Sequence, residues 1–440
     1  METKKGHTAA NEEDYSAETH LIYGKADDPR WDYSHHLVPP MSASATFRLD
    51  SVQRGAQGFM EFAHTTDEVN VRAKAPIYIY DRLGEPNKDI LEENLAFAEG
   101  GEIGVTFASG MGAVSAVLGV LTGSGSEVVA HKTLYGCTYS LLTNWYPRIK
   151  IGVRFVDFSN PEEVRKAITP RTRVLYMETP VNPNLKLVDL RAIAEIAGSV
   201  NSKRNPEEKL FTAVDSTFAT PFCQRPLAFG IDFVVHSLTK GIGGFGTDIG
   251  GVVIGPKWSH DRLLLYRKDF GGVLSAKSTW PVLVAGLPSL AVRMRQMQAT
   301  AMKVSEFLAT RSELEVSYPG LPTFPQLELA KRQMVDYDGN FAPGSMVYFV
   351  MKGKNPQDSL ARAERFINHI AKEAYCITLA VSLGNIRTLI EHPGSMTHSA
   401  IPLDEQVAKG LDPGGVRLAI GLEKPDDIIK DLIRSLDAVG

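Results

Sequence analysis

The chain has 440 residues, and its 47 Lys and Arg against 51 Asp and Glu leave a formal net charge of −4, which gives no electrostatic basis for a nucleic-acid groove. With 43% hydrophobic and 22% charged residues the composition is globular, and a chain of this size buries roughly 75% of its unfolded surface, so global disorder is excluded. A length prior of about 100–200 residues per domain fits one large domain and one smaller one. Cys137, Cys223 and Cys376 are too few and too scattered for a disulfide framework, and no pair has metal-ligand spacing. No metal site is expected, and a reducing cytoplasm fits. The N-terminus lacks the apolar core of a signal peptide, and no run of about 18 apolar residues occurs, so neither secretion nor a membrane span is expected.

Residues 1–75 carry little sustained periodicity, and the part holding Trp31, His35, His36, Pro39 and Pro40 reads as an extended N-terminal arm. Residues 76–275 read as a large domain. From Ile103 onward the short apolar runs IGVTFA, EVVAH, VRFVDF, TRVLYME, LFTAVD, DFVVHS and IGGVVIG alternate with helix-like stretches such as Met111–Leu121, Pro161–Ala167 and Leu190–Ala197. Their β-branched content and spacing predict an α/β fold with a mostly parallel, seven-stranded sheet covered by helices on both faces. Only a glycine-rich link separates DFVVHS from IGGVVIG, so those two strands are expected to pair antiparallel. Residues 276–440 read as a smaller α+β C-terminal domain, opening with a helix-like stretch over Trp280–Thr310 interrupted at Pro288 and continuing through MVYFVM, Leu360–Glu373 and VRLAIGL.

The run Gly241-Ile242-Gly243-Gly244-Phe245-Gly246 matches GxGxxG, the dinucleotide fingerprint. In that motif the glycines open a helix onto pyrophosphate, whereas the residues that follow here read as a strand, which argues against a nicotinamide enzyme. Just before the run, a strand ends in Ser237-Leu238-Thr239-Lys240, at the sheet edge where open α/β sheets bind ligands. A lysine near apolar walls loses its proton more easily and forms a Schiff base with an aldehyde, while Ser237 and Thr239 suit a phosphate. One strand earlier, Asp215 ends an apolar run where a pyridinium nitrogen would need an anionic partner. Ser109-Gly110-Met111 carries a strand into an apolar helix whose first N–H groups favour phosphate. Tyr135 lies just past the next strand, where an aromatic ring can stack on a cofactor and its phenol can move a proton. Taken singly, Lys240 reads more readily as a solvated lysine and Tyr135 as a core ring, and Asp215 and Ser109 read equally well as turn or cap residues.

Their order resembles the Cys/Met-metabolism family of pyridoxal-phosphate enzymes, which includes cystathionine synthases and lyases, methionine γ-lyases and O-acylhomoserine sulfhydrylases. Tyr80-Asp81-Arg82, Ser109-Gly110-Met111, Tyr135-Gly136-Cys137, Glu178-Thr179-Pro180 with Asn182-Pro183, Val214-Asp215, Ser237-Leu238-Thr239-Lys240, Ser382-Leu383-Gly384 and Val416-Arg417 follow the family's sequence over nearly the whole chain. The resemblance implies the aspartate aminotransferase-like PLP fold type I, pyridoxal 5′-phosphate as cofactor, and an amino acid as substrate. It implies that Lys240 holds the cofactor and shuttles protons, that Asp215 pairs with the pyridine nitrogen, and that Asn182 approaches the ring oxygen. Gly110, Met111, Ser237 and Thr239 would cradle the phosphate, and Tyr80 and Arg82 would reach in from a neighbouring subunit of a homotetramer. Tyr135 would stack on the ring and act as acid or base toward the leaving group. Arg417, with Ser382 beside it, would clamp the substrate carboxylate.

The chain departs from the family at Asp81, Glu85 and Asn87 near the entrance, at Ser216 after Asp215, and at Phe245 in the glycine run; the segment between Thr46 and Tyr80 is also long. Cys137 after Tyr-Gly, and the Lys268-Asp269 pair, resemble the methionine γ-lyases and join the catalytic and substrate-binding candidates, although a buried filler and a surface ion pair are the plain alternatives. The expected reaction is γ-elimination from L-methionine or L-homocysteine to 2-oxobutanoate, ammonia and a thiol. Cystathionine lyases, and the γ-replacing synthases and sulfhydrylases, are the alternatives. A silent binding protein on the same fold would have lost Lys240 or Asp215, and both are present.

Overall fold

The computed structural model describes residues 15–24, 37–62, 77–396, 407 and 411–439. Trp31, His35 and His36 lie outside them. All seven apolar runs form strands: β1 (Ile103–Phe107), β2 (Glu127–His131), β3 (Gly152–Val156), β4 (Thr172–Glu178), β5 (Phe211–Asp215), β6 (Phe233–Ser237) and β7 (Gly251–Gly255). They join in the order β1-β7-β6-β5-β4-β2-β3. Only β7 runs antiparallel, against β1 and β6, and every other pair is parallel. The continuous apolar text is explained by cover on both faces. Val105, Val117, Val235 and Val253 share one apolar cluster, while Val129, Leu175, Ile193 and Val214 share another.

A second sheet of β8 (Leu314–Ser317), β9 (Met346–Met351), β10 (Ile377–Leu379), β11 (Thr388–Glu391) and β12 (Gly415–Ala419) has the order β10-β11-β12-β9-β8. The amphipathic helices Pro356–Glu373 and Pro425–Val439 bury Phe366, Ile370, Leu432 and Leu436 in its cluster. The long helix Leu290–Ala309 joins the two bodies. Met294 and Met297 belong to a cluster with Leu91 and Leu95, and Ala301, Val304 and Leu308 belong to that of the second sheet.

The described part of the N-terminal segment is residues 15–24 and 37–62. Two short helices occur in it, Ala17–Tyr23 and Val52–Glu61, each started by a serine whose hydroxyl accepts from the backbone N–H of the helix's third residue. The first lies on the helix Pro86–Glu99, with the His20 and Phe97 rings 4.5 Å apart, and Glu18 pairs with Arg295.

The substituted residues near Tyr80 also have structural partners. Lys88, fully buried, donates from Nζ to the backbone oxygen of Asp81 at 2.8 Å and to its carboxylate at 2.9 Å. Asn87 accepts from Ser42 N at 2.7 Å and donates to Pro40 O at 3.1 Å, tying down the arm. Glu85 caps the helix Pro86–Glu99 by accepting from Asn87 N at 2.9 Å. Burial drives the Glu85 carboxyl up to about 7 despite the nearby charge of Lys88. A carboxyl raised in the folded state contributes stability that is present below its unfolded pKa and lost as pH rises through the folded value. Glu85→Gln keeps an accepting oxygen and removes the titration. The variant should therefore gain on the wild type by about 3 kcal/mol between about pH 4 and about pH 8, read by urea unfolding at both pH values; parallel curves would count against the buried carboxyl.

Candidate active site

Parallel strands end together, and the C-terminal ends of β4, β5 and β6 bring the polar groups to one edge. Glu178 and Asp215 are register partners on β4 and β5. Asp215 is held by Thr217, whose N–H donates to Oδ1 at 2.9 Å, and no cation pairs with it among the described residues. Burial raises its pKa, against the hydrogen bonds from Thr217. Glu178 is raised further, by burial first and by the charge of Asp215 second. Glu178 also accepts from Tyr135 N at 2.7 Å, so the Tyr135 loop is fastened to the strand that flanks Asp215. The Tyr135 ring is half-exposed, and its phenol is pushed up to about 12 by burial, then by a hydrogen bond with Cys137. Cys137 itself is exposed.

Lys240 follows β6 in a wide turn, Leu238–Ile242, closed by Gly243 N donating to Leu238 O at 2.9 Å, five residues back. Its Nζ donates to Ser382 Oγ at 2.6 Å. Burial lowers the Lys240 pKa, Arg417 lowers it further, and Glu391 and Asp215 partly oppose them. Ser382 has φ +93°, a region disfavoured for residues with a Cβ, which costs of order 1–3 kcal/mol and is retained where surroundings dictate it. Those surroundings are Lys240 on its hydroxyl and Arg417 Nη2 on its carbonyl, at 3.0 Å.

Arg417, on β12, is buried and meets three further groups. Nη1 donates to Asn182 Oδ1 at 2.9 Å, Nη2 lies 2.9 Å from Glu391 Oε2, and the guanidinium sits over the Phe218 ring at 5.6 Å. The ion pair follows from sheet register, because Glu391 on β11 is the cross-strand partner of Arg417. Lys240, Ser382, Arg417 and Asn182 thus form one directly bonded group drawn from four segments.

Gly110 begins the helix Gly110–Leu121, with Ser109 Oγ accepting from Gly112 N at 3.0 Å. A Cβ on Gly110 would stand 2.9 Å from Ser237 Cβ, so only glycine lets the helix start approach the end of β6. Met111 Sδ accepts from Thr138 at 3.7 Å, Ser237 N donates to Thr217 Oγ1 at 2.9 Å, and Thr239 Oγ1 accepts from Gly250 N at 3.1 Å. Tyr80, Arg82, Lys268 and Asp269 form a separate group. Arg82 donates to Lys268 O at 3.0 Å and lies 5.5 Å from the Tyr80 ring centre; Lys268 pairs with Asp269 at 3.2 Å. Among the described residues no hydrogen bond or ion pair links this group to Lys240.

Pyridoxal phosphate fits the first group on chemical grounds. A helix start with a glycine at its mouth offers N–H groups to a phosphate. The half-buried Asp215, which no cation pairs among the described residues, suits a cation such as a protonated ring nitrogen, and Lys240 supplies an amine of lowered pKa.

The sequence alone does not single out Thr217, Phe218 or Glu391, and it gives Glu178 as part of a motif without a role. Glu391 is detectable only as a charge ending the apolar strand TLIE. Ser216, read as a departure, has a structural partner away from the site: Gln224 donates both to its Oγ and to Thr179 O at 3.0 Å.

A family profile described as Cys/Met metabolism PLP-dependent enzyme matches residues 18–437. The L-methionine γ-lyase of Fusobacterium nucleatum subsp. polymorphum is 40% identical over 92% of this chain and 94% of its own length. The cystathionine γ-lyase of Bacillus subtilis is 35% identical over 82% of this chain and 89% of its own. The crystal structure of cystathionine γ-lyase from Lactobacillus plantarum complexed with L-serine superposes with a TM-score of 0.80 at 30% identity, covering 97% of this chain and 99% of that one.

Proposed function

This chain belongs to the Cys/Met-metabolism family of PLP-dependent enzymes, and we propose that it performs γ-elimination on L-methionine or L-homocysteine. Water enters, and 2-oxobutanoate, ammonia and a thiol leave. The observation that carries this reading is the bonded group of Lys240, Ser382 and Arg417 beside the half-buried Asp215. Similarity to L-methionine γ-lyases over nearly the whole chain supports the substrate.

Lys240, Asp215 and Asn182 would hold the cofactor's ring, and Gly110, Met111, Ser237 and Thr239 its phosphate. When bound, pyridoxal phosphate supplies an aldehyde that takes up amines and an electron sink for carbanions. Arg417 binds the substrate carboxylate, for which a planar guanidinium offers two parallel N–H groups. Ser382 keeps the Lys240 amine beside that carboxylate, within reach of Cα, and Lys240 removes and returns protons there and at Cβ. At neutral pH the raised pKa of Tyr135 leaves its phenol protonated, so it acts as an acid toward the departing sulfur. Cys137 hydrogen-bonds that phenol and sets its direction. Tyr80 and Arg82 complete the phosphate site of an adjacent subunit in a homotetramer, with Lys268 and Asp269 at the same rim. No helix among the described residues is long and apolar enough to cross a membrane; the place of action we propose is the cytoplasm.

Tyr135→Phe should lower kcat by about 10²- to 10⁴-fold while the cofactor still binds, measured by keto-acid release and absorbance. An unchanged kcat would remove Tyr135 from the chemistry. The substrate is tested with L-methionine, L-cystathionine, and O-acetylhomoserine plus sulfide supplied in parallel to the cofactor-loaded protein. The reading requires 2-oxobutanoate and methanethiol from methionine. Turnover of cystathionine alone, or sulfide consumption with the acyl ester, would move the function to another member of the family.

A further inference from the structure

Arg293, in the helix Leu290–Ala309, is 4% exposed. Its guanidinium makes four hydrogen bonds, all to uncharged oxygens. Nε donates to Ser289 Oγ at 2.9 Å, Nη1 to Gly241 O at 2.7 Å, and Nη2 to Ile242 O at 3.0 Å and to Gly286 O at 2.6 Å. Among the described residues no carboxylate lies within ion-pair distance of it. Burial lowers its pKa to about 10, which leaves it charged at neutral pH. A desolvated cation without a counter-ion is a costly prop where a neutral side chain would fill the space. What it does in return is grip two particular peptides.

Gly241 and Ile242 immediately follow Lys240 in its turn. The other two anchors are Ser289, which precedes the first residue of the long helix, and Gly286, which ends the turn Val282–Gly286 before it; the helix's first turns lie in the core beside Leu91 and Leu95. Arg293 therefore ties the carbonyls after Lys240 to a helix start packed in the core. The glycine run makes this possible. Gly244 has φ +75°, and a Cβ there would overlap the guanidinium; a Cβ on Gly286 would stand 2.8 Å from Ile242 O. From the opposite side Gly384 packs on the Lys240–Gly241 peptide, and Ile386 N donates to Gly244 O at 2.9 Å. The Phe245 ring lies 5.5 Å from the cation. The residues that mimic a dinucleotide fingerprint are thus the space into which an arginine reaches.

We propose that Arg293 is the positioning residue for Lys240, holding the turn Leu238–Ile242 so that Nζ stays beside Ser382 and Arg417. The inference rests on Lys240 as the residue that carries the cofactor. With the turn loosened, the amine can shift toward Glu391 and Asp215, and its titration moves with it.

The test compares the cofactor-loaded wild type with Arg293→Lys, which keeps the charge but not the four-way geometry, and with Ser289→Ala, which removes a bond that does not reach the turn. Absorbance of the lysine-bound cofactor is titrated against pH without substrate, and kcat, KM and Tm are measured beside it. For Arg293→Lys the expected result is a midpoint displaced by about half a unit or more, and kcat lowered about tenfold with KM within about twofold. Ser289→Ala should keep the wild-type midpoint. A lower Tm with unmoved midpoint and kcat in Arg293→Lys would reduce Arg293 to a structural prop and overturn the proposal. An equal displacement in Ser289→Ala would overturn it too, by placing the effect at the start of the helix. Absence of lysine-bound absorbance in the wild type would overturn the reading of Lys240 and this inference with it.

Discussion

Lys240→Ala should lose turnover and the absorbance of the lysine-bound cofactor together. The lysine has two tasks in this account, covalent attachment and proton transfer, and both need an unprotonated amine near neutral pH. Burial and the neighbouring Arg417 charge lower its pKa toward that condition. General acid–base steps contribute about 10²–10⁴-fold each, so removal of a group that serves at Cα and again at Cβ should cost at least about 10⁴-fold. The fold should survive, because Nζ reaches only Ser382 Oγ and the turn is closed by backbone bonds and by Arg293. Keto-acid release and the visible spectrum of the purified variant check this, with far-UV circular dichroism for the fold. A variant with the wild-type rate would refute the site.

Arg417→Lys carries the second large effect. A lysine presents one point charge where the guanidinium makes planar contacts with Asn182, Ser382 and Glu391 while facing a carboxylate. Hydrogen bonds between charged groups are worth about 1.5–3 kcal/mol, so kcat/KM should fall by about 10- to 100-fold. The carboxylate is held equally before and during the reaction, so KM should carry most of the loss. Arg417→Ala should do more than this. It leaves Glu391 buried without its cross-strand cation, a situation that costs about 3–5 kcal/mol. The double variant with Glu391→Gln should recover part of that stability and none of the activity. Steady-state kinetics and urea unfolding separate the two effects. A stability loss without a rise in KM would make Arg417 a structural residue only.

The large sheet is legible in the sequence because each strand is buried on both faces and therefore apolar throughout, and because helix-sized stretches between most strands force parallel crossovers. Even the antiparallel turn of β7 follows from its short glycine link to β6. The N-terminal helices are not legible, since each is short and rests on a serine cap and on contacts with distant residues such as Arg295. In the site, Lys240 and Asp215 stand out because a polar residue ending an apolar strand is conspicuous. Glu391 does not stand out, since its meaning lies in the register between two strands of the second sheet. The Lys240–Ser382 contact spans 142 residues of chain and has no local signature. Lys268 and Asp269 join the substrate residues by resemblance alone, and their contact with Arg82 depends on a pairing across 186 residues of chain that has no local signature. The GxGxxG match shows the same limit, because spacing alone cannot tell glycines that admit a phosphate from glycines that admit an arginine.

Reduction of the cofactor-loaded protein with borohydride, followed by digestion and mass analysis, tests the centre of this account most directly. The prediction is a single pyridoxyl adduct on the peptide that contains Lys240, formed in the wild type and absent from Lys240→Ala. An adduct on another lysine, or none on a protein that turns over substrate, would contradict it.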